Sequence, residues 1–561
     1  MPSTLDRARI STILTEPRHQ LLKFDIEINQ LEEALLSVKQ KRDTLQDSIQ
    51  QHHTLLTPFR CLPDDTLQEV FGHCLPDDHN AIMSIVEAPL LLGRVCSRWR
   101  TIAYHTPCLW ATLHVPVPIP PYLPRHHRNY SLRPAVRAMQ ETFQAKVRSH
   151  MDAVEAWLSR SGTCPLSLSF NGVEDNATRG YPRTYLGILL QHVHRWERIK
   201  LTVPPVEDPP FLALVPSQDF PELKHLELEI KPYPPVNGWV DSGLLNAPKL
   251  SYLRIPFLPT AMSESSLEVS WQNITHLSID EVYSSSLLIK PLTLEDAHTL
   301  LRTCPSLNHC SFKLMDSSDA FSPRESVFLP HLVSFSVVDS APRVESLFEC
   351  LRVPSLRKIS YHSTYAPSIR PSPLINFISR LEGQIQCLVI DLHIITLGDL
   401  MDIFTFTSSL THFTHLDMSP SREQAFIRKR LPTSPHLLRV LVNLLTPGYN
   451  GENYWPRLRF FRLRGGPSWI PEEDVLQFVQ GRMAAAIVTG SSKLENVMIS
   501  PTWCKNSIDI RSHLAMYLED GLKFDIVYAD PDKSMAGGAI TARSGMVRRN
   551  IERRGSLYLE G

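Results

Sequence analysis

The residues of this chain whose types could do chemistry are few, and each has a local explanation. His412 and His415 stand three apart in LTHFTHLDM, but a metal site would need further ligands at matching spacing, and none follows nearby. Cys304 and Cys310 fall inside one short segment, CPSLNHCSF, in which Cys310 takes a place that similar segments give to leucine. The acidic pairs Asp64-Asp65 and Glu472-Glu473 each follow a proline at a helix start. There the positive end of the helix dipole accounts for them without general acid–base work. The spacing Asn273-Ile274-Thr275 fits a glycosylation acceptor, yet it lies within a strand-like segment. No G-x-x-x-x-G-K-[ST], G-x-G-x-x-G, G-x-S-x-G or H-E-x-x-H occurs. The expectation is a protein with no catalytic residue, no metal and no cofactor.

Composition narrows the class further. The 561 residues are too many for a single compact core, so several domains or a repeat array are expected. With 43% hydrophobic and 20% charged residues the chain is ordinary for a folded protein. A net charge of −1 gives no global attraction to nucleic acid or an anionic membrane, so neither partner is expected. Ten cysteines without a C-x-x-C pair suggest buried free thiols, Cys96 among them, and a reducing compartment. No long apolar run suggests a membrane span or a signal core. A soluble protein of the cytoplasm and/or nucleus is therefore expected.

Positioning elements come next. Leu62-Pro63 opens a stretch in which Asp64 is suited to cap a helix and Leu67, Val70, Phe71 and Cys74 form one apolar stripe. Residues 75–90 make a polar connection. Leu91, Leu92, Val95, Cys96, Trp99, Ile102 and Ala103 then repeat the helical spacing. Thr106-Pro107 stops that second helix, and Leu109-Trp110 supplies an apolar plug behind it. The series resembles the F-box over roughly fifty residues, with a longer inter-helix link than compact F-boxes have. The resemblance implies docking on a Skp-family adaptor through Leu62, Pro63, Leu67, Val70, Leu91, Leu92, Val95 and Trp99. By position, Leu62, Pro63, Leu91 and Leu92 should face the adaptor, whereas Val70, Phe71, Val95 and Trp99 should hold the fold.

Upstream, residues 18–56 carry a heptad. Positions a are Leu21, Ile28, Leu35, Arg42 and Ile49, and positions d are Phe24, Leu31, Val38, Leu45 and His52. Pro17 suits the first turn of this helix and Thr57-Pro58 ends it, giving a rod of about 60 Å. Such a helix either pairs with a second chain as a homodimer or folds back on the rest of its own chain. Downstream, the proline-rich run from Val115 to Pro134 reads as an extended linker. Ala135 to Leu158 follows as an amphipathic helix.

From Cys164 onward a unit of the form x-P-x-L-x-x-L-x-apolar recurs: FPELKHLEL, APKLSYLRI, CPSLNHCSF, LPHLVSFSV, VPSLRKISY and WPRLRFFRL, with looser copies between them. Its first apolar anchors are Trp196, Leu223, Leu250, Ile274, Leu307, Leu332, Leu356, Ile385, Phe413, Leu458 and Leu494, mostly 24 to 33 residues apart. Helical stretches alternate with them at Thr184–Trp196, Leu294–Arg302, Arg343–Leu351, Pro373–Leu381, Leu397–Phe406, Pro435–Leu445 and Pro471–Ala485. Polar residues interleave the apolar ones in each strand segment, which favours a repeat solenoid over a doubly wound sheet.

The predicted fold class is therefore mixed: an N-terminal coiled-coil helix, an all-α F-box, then an α/β leucine-rich-repeat-like solenoid with parallel strands. The expected boundaries are a coiled coil at 17–57, an F-box at 58–114, a linker at 115–134 and a repeat domain at 135–530. A basic tail at 531–561 is expected to be disordered, and its Arg553-Arg554-Gly555-Ser556 fits a basophilic kinase site. F-box proteins with leucine-rich repeats, large families of filamentous fungi among them, are similar in layout. They imply a non-enzymatic substrate-recognition subunit, with the adaptor leading to a cullin–RING ligase and the repeats holding an unknown protein substrate. The alternative is a scaffold that binds the adaptor without directing ubiquitin transfer.

Overall fold

The computed structural model describes residues 4–55, 62–119, 134–172, 181–203, 220–230, 243–256, 269–279, 292–314, 325–339, 344–363, 372–381, 383–416, 437–448, 452–468, 470–502 and 509–528. The tail expected at 531–561, Ser556 included, lies outside them, as do residues 120–133 of the proline-rich run. The chain divides into two units, Met1–Cys74 and Leu75–Gly561.

Among its described residues the first unit holds two helices, α1 (Thr4–Leu55) and α2 (Asp64–His73). α1 begins well before Pro17, which sits inside the helix and not in its first turn. Proline removes one N–H donor, and the good helix formers on both sides outweigh that single loss. α2 starts after Pro63 with Asp64 and Asp65 in its first turn, where carboxylates meet the positive helix end. Leu67 and Phe71, four apart on one face, are its buried pair.

The second unit is an α/β array built on one parallel sheet. Its strands are β1 (Thr112–Pro116), β2 (Leu166–Asn171), β3 (Trp196–Val203), β4 (His225–Ile230), β5 (Tyr252–Ile255), β6 (His276–Ile279), β7 (His309–Leu314), β8 (Val327–Phe328), β9 (Ser334–Asp339), β10 (Leu351–Arg352), β11 (Lys358–Ser363), β12 (Cys387–Ile390), β13 (His412–Leu416), β14 (Phe460–Ser468), β15 (Asn496–Thr502) and β16 (Lys523–Tyr528). Among the described residues β8 and β10 pair only with each other, and the other 14 strands lie side by side in chain order. All are parallel, so every strand is followed by a return before the next is laid beside it.

The x-P-x-L unit has a mechanical explanation. Its first residue closes a turn: the Leu223, Leu250, Leu307, Leu332, Leu356 and Leu458 N–H groups donate to the carbonyls of Phe220, Ala247, Cys304, Leu329, Val353 and Trp455. Proline then occupies the second turn position, where its fixed φ is already correct. The turn drops the leucine into the core two residues ahead of the strand, and all six of these leucines are at most 1% exposed. From β4 to β14 of the long sheet, the carbonyl just before the strand accepts two N–H groups from the next repeat. Thus Ser251 and Tyr252 donate to Lys224, and Thr275 and His276 donate to Ser251. This pattern continues to Glu495 and Asn496 on Arg459.

Three expectations change. β1 lies across the boundary drawn at residue 115, so the sheet begins before the linker does. Pro116 and Pro118 are compatible with this because β1 is an edge strand, and Val117 still donates to Asn171. In the β13 repeat the anchor is Leu410, whose N–H closes the turn on Thr407. Phe413 pairs instead with Leu388 and Phe461, one rung further along the strand. Most helical returns are where periodicity put them, for example α-helices at Leu294–Thr303 and Leu397–Phe406, but the helix expected at Thr184–Trp196 ends at Leu190, with Trp196 opening β3, and the expected helix from Leu91 to Ala103 is broken, as described next.

Candidate functional site

The residues that resemble an F-box occupy both units, and each part is described by itself. In the first, Pro63 is exposed, Leu62 and Val70 are half-buried, and Leu67 is buried. In the second, the chain makes a 3-10 turn at Leu92–Arg94 before α3 (Ser97–Tyr104). The Cys96 thiol caps α3 by accepting from the Trp99 N–H at 3.4 Å. This break shifts the helical phase and corrects two expected roles. Leu92 is 4% exposed and belongs to the core, whereas Leu91 at 44% and Val95 at 56% are surface residues. Trp99 is half-buried in the first turn, and Cys96 is exposed, not a core thiol. Trp110 is the tryptophan that holds this region. Its Nε1–H donates to the Ala103 carbonyl at 2.8 Å, and its ring packs edge-on against Trp157 at 4.7 Å. The Arg160 guanidinium lies over the Tyr104 and Trp110 rings.

The long link at residues 75–90 has a definite job. The His114 N–H donates to the Ala81 carbonyl at 2.8 Å, and the Ala81 N–H donates to Thr112 Oγ1. Ser167 Oγ donates to Asn80 Oδ1, and Asn80, Ala81 and Ile82 are buried. The link covers part of the free edge of β1, where exposed backbone groups would otherwise invite pairing with another chain. Nothing in the composition of the link announces this, because its partners, the His114 main chain and the Thr112 and Ser167 hydroxyls, belong to strands far along the sequence, Ser167 being 87 residues from Asn80.

Registered pairing of the strands generates ladders on the polar face of the sheet. Residues one repeat apart are neighbours here, and the first rung runs Arg198, His225, Tyr252, His276, His309. Ring centroids are 3.7 Å apart for His225–Tyr252, 5.3 Å for Tyr252–His276 and 4.3 Å for His276–His309. Two residues along, the next rung reads Lys200, Glu227, Arg254 and then Ser278, Ser311, Ser336, Ser360. Glu227 accepts from Lys200 at 2.9 Å and contacts His225 Nε2 at 2.9 Å. Burial alone would raise its carboxyl, but His225 and Lys200 hold it well below the usual carboxylate range.

The chain matches no family model and no curated protein.

The His276 imidazole is pushed down to about 4 by burial, then by the adjacent His309 and by His225 beyond Tyr252. His412, stacked on Phe460 at 4.0 Å, is likewise pushed down to about 4, by burial and then by Arg462, Arg459 and Lys358. Both rings are therefore neutral near pH 7. The face thus offers flat rings, hydroxyls and fixed charges in straight rows, a surface suited to holding another molecule by many weak contacts. His412 and His415 do not combine. His412 lies on the polar face, and His415 is 4% exposed with Nδ1 accepting from the Leu392 N–H. Among the described residues no group of three or more His, Cys, Asp or Glu could hold a metal ion, and no helix is long and apolar enough to cross a membrane.

These ladders escaped the sequence reading because each repeat contributes one residue per rung. The signal was available: the second residue after the x-P-x-L unit is His in FPELKHLEL, Tyr in APKLSYLRI and His in CPSLNHCSF.

Proposed function

We propose that this chain is the substrate-recognition subunit of a Skp–cullin–F-box ubiquitin ligase, working in the cytoplasm or nucleus. In this reading it performs no bond chemistry. It raises the local concentration of a bound protein's lysines near an active site that another subunit carries. The leucine-rich-repeat identity of the array belongs to the same proposal.

The observation that supports it is an order of elements. A proline-led helix with acidic first turn is followed by a short helix preceded by surface Leu91 and Val95, then by the Trp110 plug. That plug runs directly into the first strand of a parallel array with a ladder-like polar face. The residues assigned to the adaptor are Leu62 and Pro63, with Leu67 buried in their own unit, and Leu91 and Val95, with Leu92 and Trp110 buried in theirs.

Affinity purification of the full chain from a eukaryotic lysate under proteasome inhibition tests this. Wild type should retain a Skp-family adaptor together with cullin, and Leu62→Ala with Pro63→Ala should lose both while melting as wild type does. Adaptor without cullin would make the chain a scaffold, and absence of the adaptor would end the reading.

A further inference from the structure

Helix α1 carries its heptad seam in the open: the apolar a and d residues from Leu21 to Ile49 are each between 51% and 66% exposed. A seam of that length needs a cover, and the charges beside it select one. Between Gln20 and Ser48 the flanking e and g positions are acidic in the first half, at Asp25, Glu27 and Glu32. They are basic in the second half, at Lys39 and Lys41, and Arg42 interrupts the seam itself at an a position.

We propose that α1 pairs with α1 of a second copy of this chain, and that the two run antiparallel. In a parallel pair each a residue meets its own counterpart, so Arg42 would face Arg42 across a desolvated seam. The g-to-e contacts would also set Glu27 against Glu32 on both sides, a repulsive arrangement. Running the copies in opposite directions removes both conflicts, because a positions then meet d positions. With Leu35 opposite Val38 of the second copy, Ile28 meets Leu45 and Phe24 meets Ile49. Arg42 meets Leu31 and lies next to Glu32 of the second copy. Glu32 faces Lys39 of the second copy, and two-fold symmetry repeats that contact. The acidic half of each helix thereby covers the basic half of the other. This pairing does not depend on the adaptor reading.

Sedimentation equilibrium of the full chain tests the pairing and its direction together. Wild type should sediment as a dimer. Glu32→Lys should weaken it by about tenfold or more, since the new lysine meets Lys39 on both sides. Adding Lys39→Glu to that variant should restore wild-type association. Zero-length cross-linking of mixed light and heavy isotope-labelled chains should join Glu32 of one label to Lys39 of the other. Tightening by Glu32→Lys, which relieves Glu27–Glu32 contacts, would show parallel strands and overturn the orientation. A wild-type monomer, whether α1 folds back or binds another protein, would overturn the pairing. Adaptor co-purification from the same variants should be unchanged, which keeps the two readings separable.

Discussion

Arg482 is a cation with 2% of its surface exposed, and it faces main-chain carbonyls. Its Nη1 donates to Tyr454 O at 2.9 Å and Asn453 Oδ1 at 3.1 Å, and its Nη2 to Trp455 O at 2.5 Å. Burial pushes its guanidinium down to about 10. Its hydrogen bonds fix the segment in which Trp455, at φ 47°, is turned into the core against Phe413. Arg482→Leu would leave those carbonyls buried and unpaired, and chemical denaturation should show a loss of about 3 kcal/mol. The histidine ladder predicts a pH dependence. His276 and His412 titrate near 4 in the fold and near the ordinary imidazole value of 6.5 when unfolded. Between those values the unfolded chain binds more protons, so stability is complete above about 6.5 and falls as pH drops toward 4. Glu227, held low in the fold, adds a further loss below the ordinary carboxylate range. Melting temperature followed across pH 4 to 7 should rise, and His276→Gln should flatten part of that rise. The burial of Arg482, His276, His412 and Glu227 was not legible, since burial of a polar side chain depends on neighbours one repeat away or more.

At the scale of elements, the capping boxes repeat. Thr293 caps the helix Leu294–Thr303 through Asp296, and Thr396 caps Leu397–Phe406 through Asp399, each with the reciprocal side-chain bond. Thr293→Ala and Thr396→Ala should each cost about 1 kcal/mol by denaturant titration, and their effects should add, since the sites lie several repeats apart. The helices and strands of the array were legible because turn, anchor and amphipathic stripe are all local: the x-P-x-L unit writes its own β-turn. The break between Leu92 and Ser97 was not. A 3-10 turn followed by a new cap preserves enough apolar spacing to look like one continuous helix, and only the exposure of Val95 and burial of Leu92 reveal the change of phase. Phe413 misled for a related reason. LTHFTHLDM offers two apolar residues, and the turn from Thr407 chooses Leu410.

At the scale of the whole molecule, the parallel array was predictable from spacing, but its starting strand was not, because β1 runs straight into the proline-rich segment at Pro116 and its cover comes from a link between helices. The strand order has a mechanical consequence. Each strand is held on one side by the strand before it and on the other by the strand after it, so tension applied at the C-terminal end loads only the outermost pair. The array should therefore peel from β16 toward β1, rung by rung, at modest force, and not rupture all at once as a sheared sheet does. At the far end β1 is anchored by Ala81, Asn80 and the Trp110–Trp157 packing, so force from that side meets a different obstacle. Optical-tweezer traces should show many small extensions when the C-terminal handle leads. If the second unit behaves as a ratchetless zipper in this way, a molecular machine pulling on its C-terminal end could unravel it progressively.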